Sequence, residues 1–143
     1  MQKTYKFTDA FPYLLNRAGV KMGECFSSEL ATYGITLPMY RVLAVINQYQ
    51  QLCLKELVEF IPGEMSTMSR LIANMHKMDL VLRERIETNN RTVKITLTEK
   101  GLALFKELMP KAQAWERKAV SGFSLEEIED LKQKLTRIYS NLV

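Results

Sequence analysis

The sequence predicts a mainly α fold with a small β-hairpin, set between long helices at the two ends of the chain. One observation is a change of period inside residues 64–101, where apolar residues first recur at helical spacing and then alternate as in strands. The other is that apolar residues recur every three or four positions in the flanking segments 8–33 and 101–142. Together they indicate a mainly helical domain with a short two-stranded ribbon in its second half.

Length and composition agree with a single domain over 1–143. With 143 residues and 47% hydrophobic residues the chain can bury a core, and no Pro/Gly/Ser-rich stretch divides it. The formal net charge is only +4, so bulk charge by itself is weak evidence for a nucleic-acid partner. The sequence shows neither an apolar run long enough to span a membrane nor a secretory signal pattern, so we expect a cytoplasmic protein.

The leading segment 8–33 is predicted to be a helix with one apolar stripe. The stripe consists of residues at helical spacing, namely Leu15, Ala18, Met22, Cys25 and Phe26. A narrow stripe of this kind suits packing against another helix.

A short helix followed by a longer one is predicted within the segment 36–100. Leu54, Leu57 and Val58 belong to the first helix, which Pro62 and Gly63 end. The second helix buries an apolar stripe made of Met68, Leu71, Ile72, Met75 and Met78. Its remaining surface carries hydrogen-bond donors suited to base edges and phosphates: Ser66, Thr67, Ser69, Arg70, Asn74 and Lys77.

Two interpretations of the second helix stay open when it is taken alone. An amphipathic helix whose polar face meets only water explains it about as well as a DNA-reading helix. The break at Pro62 and Gly63 favours DNA reading, because it produces the helix-turn-helix geometry in which the second helix enters a major groove.

A basic hairpin is predicted directly after this helix. The apolar residues Val93, Ile95 and Leu97 alternate with polar ones, and a similar alternation begins at Val81. Arg91 lies at the junction of the two strands, where we expect it to reach a neighbouring minor groove.

Three other basic residues of the hairpin have less certain roles. Lys94 and Arg85 are predicted to contact phosphates. For Arg83, an ion pair with Glu84 or Glu87 is about as good an explanation as a DNA contact.

The trailing segment is predicted to form two helices. Thr98 caps a helix from Glu99 to about Ala119, and Ser124 with Glu127 forms a capping box at the start of the next. The last helix carries a seam at alternating spacings of three and four, made of Ile128, Leu131, Leu135, Ile138 and Leu142. We expect the terminal helices to form a homodimer, with a closed bundle inside one chain as the alternative.

Four segments resemble the MarR family of bacterial winged helix-turn-helix repressors. They are Leu54-Lys-Glu-Leu57, Ser66-Thr-Met-Ser-Arg70, Leu80-Val81-x-Arg83 and Arg91-x-Val-x-Ile-x-Leu-Thr-Glu-Lys-Gly101. The resemblance covers essentially the whole chain and is most specific at its last segment. It implies a transcriptional repressor that binds a double-stranded DNA operator as a homodimer paired through its first and last helices. It also implies that Ser66, Thr67 and Arg70 occupy positions that commonly touch DNA.

The sequence departs from the family pattern at three positions. Glu64 replaces the usual small hydroxyl residue at the start of the DNA-reading helix, where a carboxylate still suits the helix dipole. Asn89 replaces an acidic residue, which removes an expected ion pair with Arg91. Asp79 stands where the family often has glycine, and aspartate tolerates a left-handed backbone better than most residues.

The resemblance further implies a small amphipathic or phenolic effector that relieves repression. Such effectors enter a cleft where the dimerisation helices meet the DNA-binding lobe. Polar contacts to the effector are expected from Tyr13, Arg17, Tyr33 and Arg41.

Other classes of protein have little support. The single His76, and Cys25 and Cys53 without a CxxC partner, do not give zinc spacing, and neither a Gly-rich phosphate loop nor a nucleophile elbow is found. We therefore expect neither an enzyme nor a metal or cofactor. A winged-helix protein-interaction module without DNA binding and a cysteine-based oxidant sensor are the alternatives. Cys25 is better explained as a structural cysteine, because neighbouring Glu24 opposes thiolate formation.

Overall fold

The computed structural model describes residues 4–86 and 89–143, with the backbone alone at 89–91. A 3-10 turn at Phe7–Asp9 precedes the helices and strands. These are α1 (Phe11–Ala31), α2 (Leu37–Tyr49), β1 (Leu52–Cys53), α3 (Leu54–Phe60), α4 (Met65–Lys77), β2 (Val81–Ile86), β3 (Asn89–Leu97), α5 (Glu99–Ala119) and α6 (Leu125–Ser140). The predicted mainly α fold with a small wing is confirmed.

The core of the molecule lies between α2, α3, α4 and the small sheet. Its fully buried side chains come from each of these elements and from the turn between α4 and β2, and they include Val42, Leu43, Ile46, Leu57, Ile72, Met75, Leu80, Val81 and Ile95. The buried residues of α4 are Met68, Ile72 and Met75, which belong to the apolar stripe predicted from helical spacing. The helix therefore faces the core with that stripe and turns its polar residues outward.

The sheet has three antiparallel strands in the order β1-β3-β2, one more than the predicted hairpin. Strands β2 and β3 pair with Val81 opposite Leu97. Strand β1 adds only Leu52 and Cys53, with Leu52 opposite Ile95. A strand of two residues has no room for alternation, so its sequence carries no period that would have revealed it.

Helix α5 runs from the sheet to α1. Its buried residues Phe105 and Leu108 enter the core near its start. Near its end, the Trp115 indole Nε1 donates a hydrogen bond of 2.7 Å to the Glu29 carboxylate, which Lys111 also contacts at 3.3 Å. The hydrogen bond to Glu29 raises the pKa of Lys111 above its ordinary value. These contacts tie the second half of α5 to α1.

Helix α6 stands outside the core. The predicted capping box begins it, with the Ser124 and Glu127 side chains each accepting a backbone N–H at 3.1 Å. All its residues are exposed or half-buried, and Leu131 and Leu135 of the predicted seam are 39% and 41% exposed. The described chain thus leaves the seam uncovered, which argues against the closed bundle within one chain.

Among the helices that the structure describes, none combines the length and the apolar character needed to cross a membrane.

Candidate nucleic-acid interface

The exposed face of α4 is built from the six residues predicted to meet DNA, all of which are exposed: Ser66, Thr67, Ser69, Arg70, Asn74 and Lys77. At about 100° per residue, Ser66, Arg70 and Lys77 lie within about 40° of one another around the helix axis. That direction is opposite the side that buries Met68 and Met75. Met68 and Met75 thus hold α4 against the core on the side opposite these residues. The six exposed residues, which we call the polar stripe, therefore face outward on a fixed support.

Helix α3 and the turn after it place the start of α4. The Glu56 carboxylate accepts a hydrogen bond of 3.0 Å from the Cys53 backbone N–H at the start of α3. This bond holds the pKa of Glu56 below its ordinary value. Buried Leu57 and Ile61 join the core, and Pro62 prevents α3 from continuing. The two helices therefore meet at a defined break, as the helix-turn-helix prediction requires.

The end of α4 is a Schellman motif. The Leu80 N–H reaches back to the Met75 carbonyl at 2.9 Å, and the Asp79 N–H reaches the His76 carbonyl at 3.0 Å. Asp79 has a φ of 60°, the left-handed conformation that the sequence allows at this position. The chain then turns directly into β2.

Residues at the start of α5 donate hydrogen bonds to the backbone carbonyls of the turn that follows α4. The Lys100 ammonium donates to the Met78 carbonyl at 2.9 Å. The Thr98 hydroxyl donates to the Asp79 carbonyl at 2.6 Å, and the Thr98 N–H donates to the Leu80 carbonyl at 3.1 Å. We call these three contacts the α4–α5 clamp. The sequence predicts Thr98 as a helix cap and gives Lys100 no role beyond its place in the segment that resembles the MarR family.

Gly101 makes close packing at the clamp possible. Its N–H donates to the Thr98 hydroxyl oxygen at 2.9 Å, which confirms Thr98 as the predicted cap of α5. A Cβ atom on Gly101 would overlap the Leu80 carbonyl oxygen. Gly101 belongs to the segment most specific to the MarR resemblance. The close contact with Leu80 explains why this position requires a residue without a side chain.

The wing presents basic residues unevenly. Arg83 and Arg85 on β2 are exposed, whereas Lys94 lies opposite Glu84 on the central strand and its ammonium is 4.0 Å from that carboxylate. Glu84, offered by the sequence as a partner for Arg83, pairs with Lys94 instead. Lys94 is thus less free to meet a phosphate than expected. The Arg91 side chain, expected in a minor groove, falls outside the described residues.

His76 and the two cysteines do not form a common site. His76 is exposed, with its Nδ1 atom 3.2 Å from the Val81 carbonyl oxygen. Cys25 and Cys53 are half-buried and are not joined by a disulfide.

A cleft of about 700 Å³ lies between α1, α2 and α5. Its lining is mostly apolar and includes Met22, Phe26, Leu37 and Trp115. The charged residues that line it are Lys21, Arg41, Glu116 and Lys118. Below it, Tyr40 packs edge-on against Phe26 at 4.8 Å between ring centroids. Burial, and then the nearby charge of Glu116, raises the pKa of Tyr40 above its ordinary value.

The structure does not bring the four predicted effector contacts together. Only Arg41 lines the cleft. Tyr13 and Arg17 contact each other at 3.3 Å near the start of α1, whereas Tyr33 follows the end of α1 and lies under Lys111. The two ends of α1 are about 30 Å apart, so one cleft cannot include both tyrosines of the same chain.

Comparisons with known proteins agree with this geometry. The family described as transcriptional regulator SarA/Rot matches residues 24–108. The HTH-type transcriptional regulator MgrA of Staphylococcus aureus is 30% identical over 96% of this chain and 93% of its own. A MarR family transcriptional regulator from Silicibacter pomeroyi superimposes with a TM-score of 0.83 at 26% identity, over 92% of this chain and 89% of its own. The S. aureus MepR–DNA complex gives a TM-score of 0.84 at 23% identity, over 96% of this chain and 100% of its own.

The family match and the similar proteins show a regulator of transcription with a DNA-binding winged helix-turn-helix, a class of regulators and not of enzymes. Because the family match covers more than half of the chain, the chain belongs to the SarA/Rot transcriptional regulators, with the MarR fold expected from its sequence.

Proposed function

We propose that the protein is a homodimeric repressor that recognises a specific double-stranded DNA operator in the cytoplasm and is released by a small amphipathic effector. The observation that carries the DNA-binding part is the polar stripe of α4, which lies on the face opposite the buried side of the helix. The six residues of that stripe are proposed to meet DNA, together with Lys94 and Arg91 of the wing. Arg85 is the exposed alternative to Lys94 for a phosphate contact.

Arg70 lies in the centre of the stripe, where a guanidinium can pair with the two acceptors of a guanine edge. We expect Arg70→Ala to weaken binding to the preferred operator by about 1–3 kcal/mol and to relax selectivity at one base position. The measurement is fluorescence anisotropy on an operator found by in vitro selection and on its single-base variants. An equal loss on all sequences would instead make Arg70 a phosphate contact.

A matched control and a salt series complete this test. Arg117→Ala removes the same charge from an exposed site near the end of α5 and should leave operator binding unchanged. Wild-type affinity should fall linearly with salt on a log–log plot, since phosphate neutralisation releases counterions. A protein-interaction module would bind no duplex even at low salt.

The dimer is supported by the uncovered apolar surface at both ends of the chain. Besides the α6 seam, α1 exposes Leu15 and Met22 of its predicted stripe at 41% and 44%. Apolar residues spaced along two long helices suit burial against a second copy. A two-fold dimer would then place two α4 helices in successive major grooves about one DNA turn apart.

The proposed effector site is the cleft between α1, α2 and α5. Its apolar walls suit an aromatic ring and Arg41 suits an anionic group on that ring. Because α5 both lines the cleft and holds the end of α4, a ligand here is well placed to alter DNA binding.

We expect phenolic carboxylates such as 4-hydroxybenzoate to change the emission of Trp115, the only tryptophan of the chain, and to lower operator affinity. Arg41→Ala should lower the affinity for the ligand about tenfold, because it removes a charge-assisted hydrogen bond. Arg17→Ala is the control, since Arg17 lies outside the cleft. Equal effects of both substitutions on ligand affinity would contradict the assignment of this cleft.

A further inference from the structure

The α4–α5 clamp joins the DNA-reading helix to the helix that reaches the proposed dimer surface. All three of its acceptors are backbone carbonyls at or just beyond the end of α4, at Met78, Asp79 and Leu80. Both donor residues, Thr98 and Lys100, belong to the first turn of α5 or its cap. The clamp therefore fixes the end of one helix against the start of another.

The two helices it joins have different tasks. The polar stripe of α4 ends at Lys77, immediately before the clamp. The far end of α5 is tied to α1 through the Trp115 and Lys111 contacts with Glu29. In a dimer paired through its terminal helices, the distance and angle between the two α4 helices are therefore set along α5, through the shared core and through the clamp at the end of α4.

The chemistry of the clamp suits this positioning task. Lys100 places a positive charge beside the C-terminal carbonyls of α4, where the helix dipole is negative. The Thr98 hydroxyl accepts from Gly101 and donates to Asp79, so one side chain orders both helix ends. None of these groups needs to touch DNA to affect its recognition.

We propose that Thr98 and Lys100 are positioning residues for operator recognition, which set the half-site spacing that the dimer prefers. This inference rests on the proposed homodimeric DNA-binding function. A loosened clamp lets α4 change its angle relative to α5, so the protein tolerates half-sites that are closer together or further apart. Affinity for the preferred spacing falls at the same time, because α4 is less well ordered before it binds.

The test uses the full-length protein and a series of operators whose half-sites are moved in steps of one base pair around the selected spacing. Lys100→Met removes the ammonium and leaves the cap of α5 intact. We compare the affinity for the operator with the preferred spacing with the affinity for operators one base pair shorter or longer. We expect Lys100→Met to reduce the ratio of these affinities about three- to tenfold. Lys100→Arg should restore much of that ratio, since a guanidinium can also donate to the Met78 carbonyl.

Matched variants separate positioning from stability. Lys106→Met removes the same charge from an exposed site on α5 and should leave the spacing profile unchanged. Thr98→Val should flatten the profile, whereas Thr98→Ser keeps the hydroxyl and should preserve it. The thermal unfolding temperature of each variant is measured as well. It shows whether a change in the spacing profile comes with a loss of stability.

Three outcomes overturn the proposal, and they fall into two distinguishable groups. A uniform loss of affinity at every spacing, or an unchanged profile in Lys100→Met, removes the positioning role while DNA binding by the wild type stands. If the wild-type protein selects no duplex from a random pool, the proposed function fails and the positioning role fails with it.

Discussion

Replacing Leu135 with glutamate is expected to convert the protein into monomers and to abolish tight binding to an operator with two half-sites. Leu135 lies in the middle of the α6 seam and is 41% exposed in the isolated chain. Burying a carboxylate there without a partner costs about 3–5 kcal/mol, which corresponds to at least a hundredfold loss in dimer affinity. Sedimentation velocity over a concentration series measures the dissociation directly.

The same helix provides a control for the added charge. Gln133→Glu introduces a carboxylate on an exposed position two residues away, on a different side of α6 from the seam. It should leave the dimer intact. An unchanged dimer in Leu135→Glu would show that α6 does not pair through this seam, provided that circular dichroism confirms the fold of both variants.

Gly101→Ala is expected to lower the free energy of unfolding by about 3 kcal/mol, a large effect for one methyl group. The new Cβ would overlap the backbone carbonyl of Leu80, and a backbone atom cannot move aside as a flexible side chain can. Either α5 or the turn after α4 must shift, which also strains the α4–α5 clamp. Urea denaturation at fixed protein concentration measures the change.

Gly19→Ala is the matched comparison and should have the opposite sign. Gly19 lies inside α1, and a Cβ placed there would meet no described atom within 4 Å apart from its chain neighbours and the backbone of its own helix. Alanine in a helix interior is favoured over glycine by about 0.5–1 kcal/mol. If Gly101→Ala proved as stable as the wild type, the close approach of α5 to Leu80 would be refuted.

The elements that the sequence predicts well are those with local signals. The stripe through Met68, Ile72 and Met75 specifies α4, and hydroxyl caps at Thr98 and Ser124 mark the starts of α5 and α6. Each signal lies within a few residues of the feature it predicts, so one sequence is enough to detect it.

The features that escaped prediction depend on contacts between distant parts of the chain. The Thr98 hydroxyl reaches Asp79 across 19 positions, which no local period reports. Lys94 is paired with Glu84 by strand register, so its availability for DNA could not be judged from composition. Tyr13 and Tyr33 have suitable chemistry for an effector, but the length of α1 separates them.

Helix α6 contributes no side chain to the core of the DNA-binding lobe, and this has an evolutionary consequence. Since the side chains of α6 are not needed to fill the interior of the DNA-binding lobe, this helix can diverge without changing the stability of that lobe or the base contacts of α4. After gene duplication, two copies could therefore lose the ability to mix subunits through changes in α6 while still reading the same operator. In the proposed homodimer, partner choice would rest on α6 and base recognition on α4, so selection could act on these two properties separately.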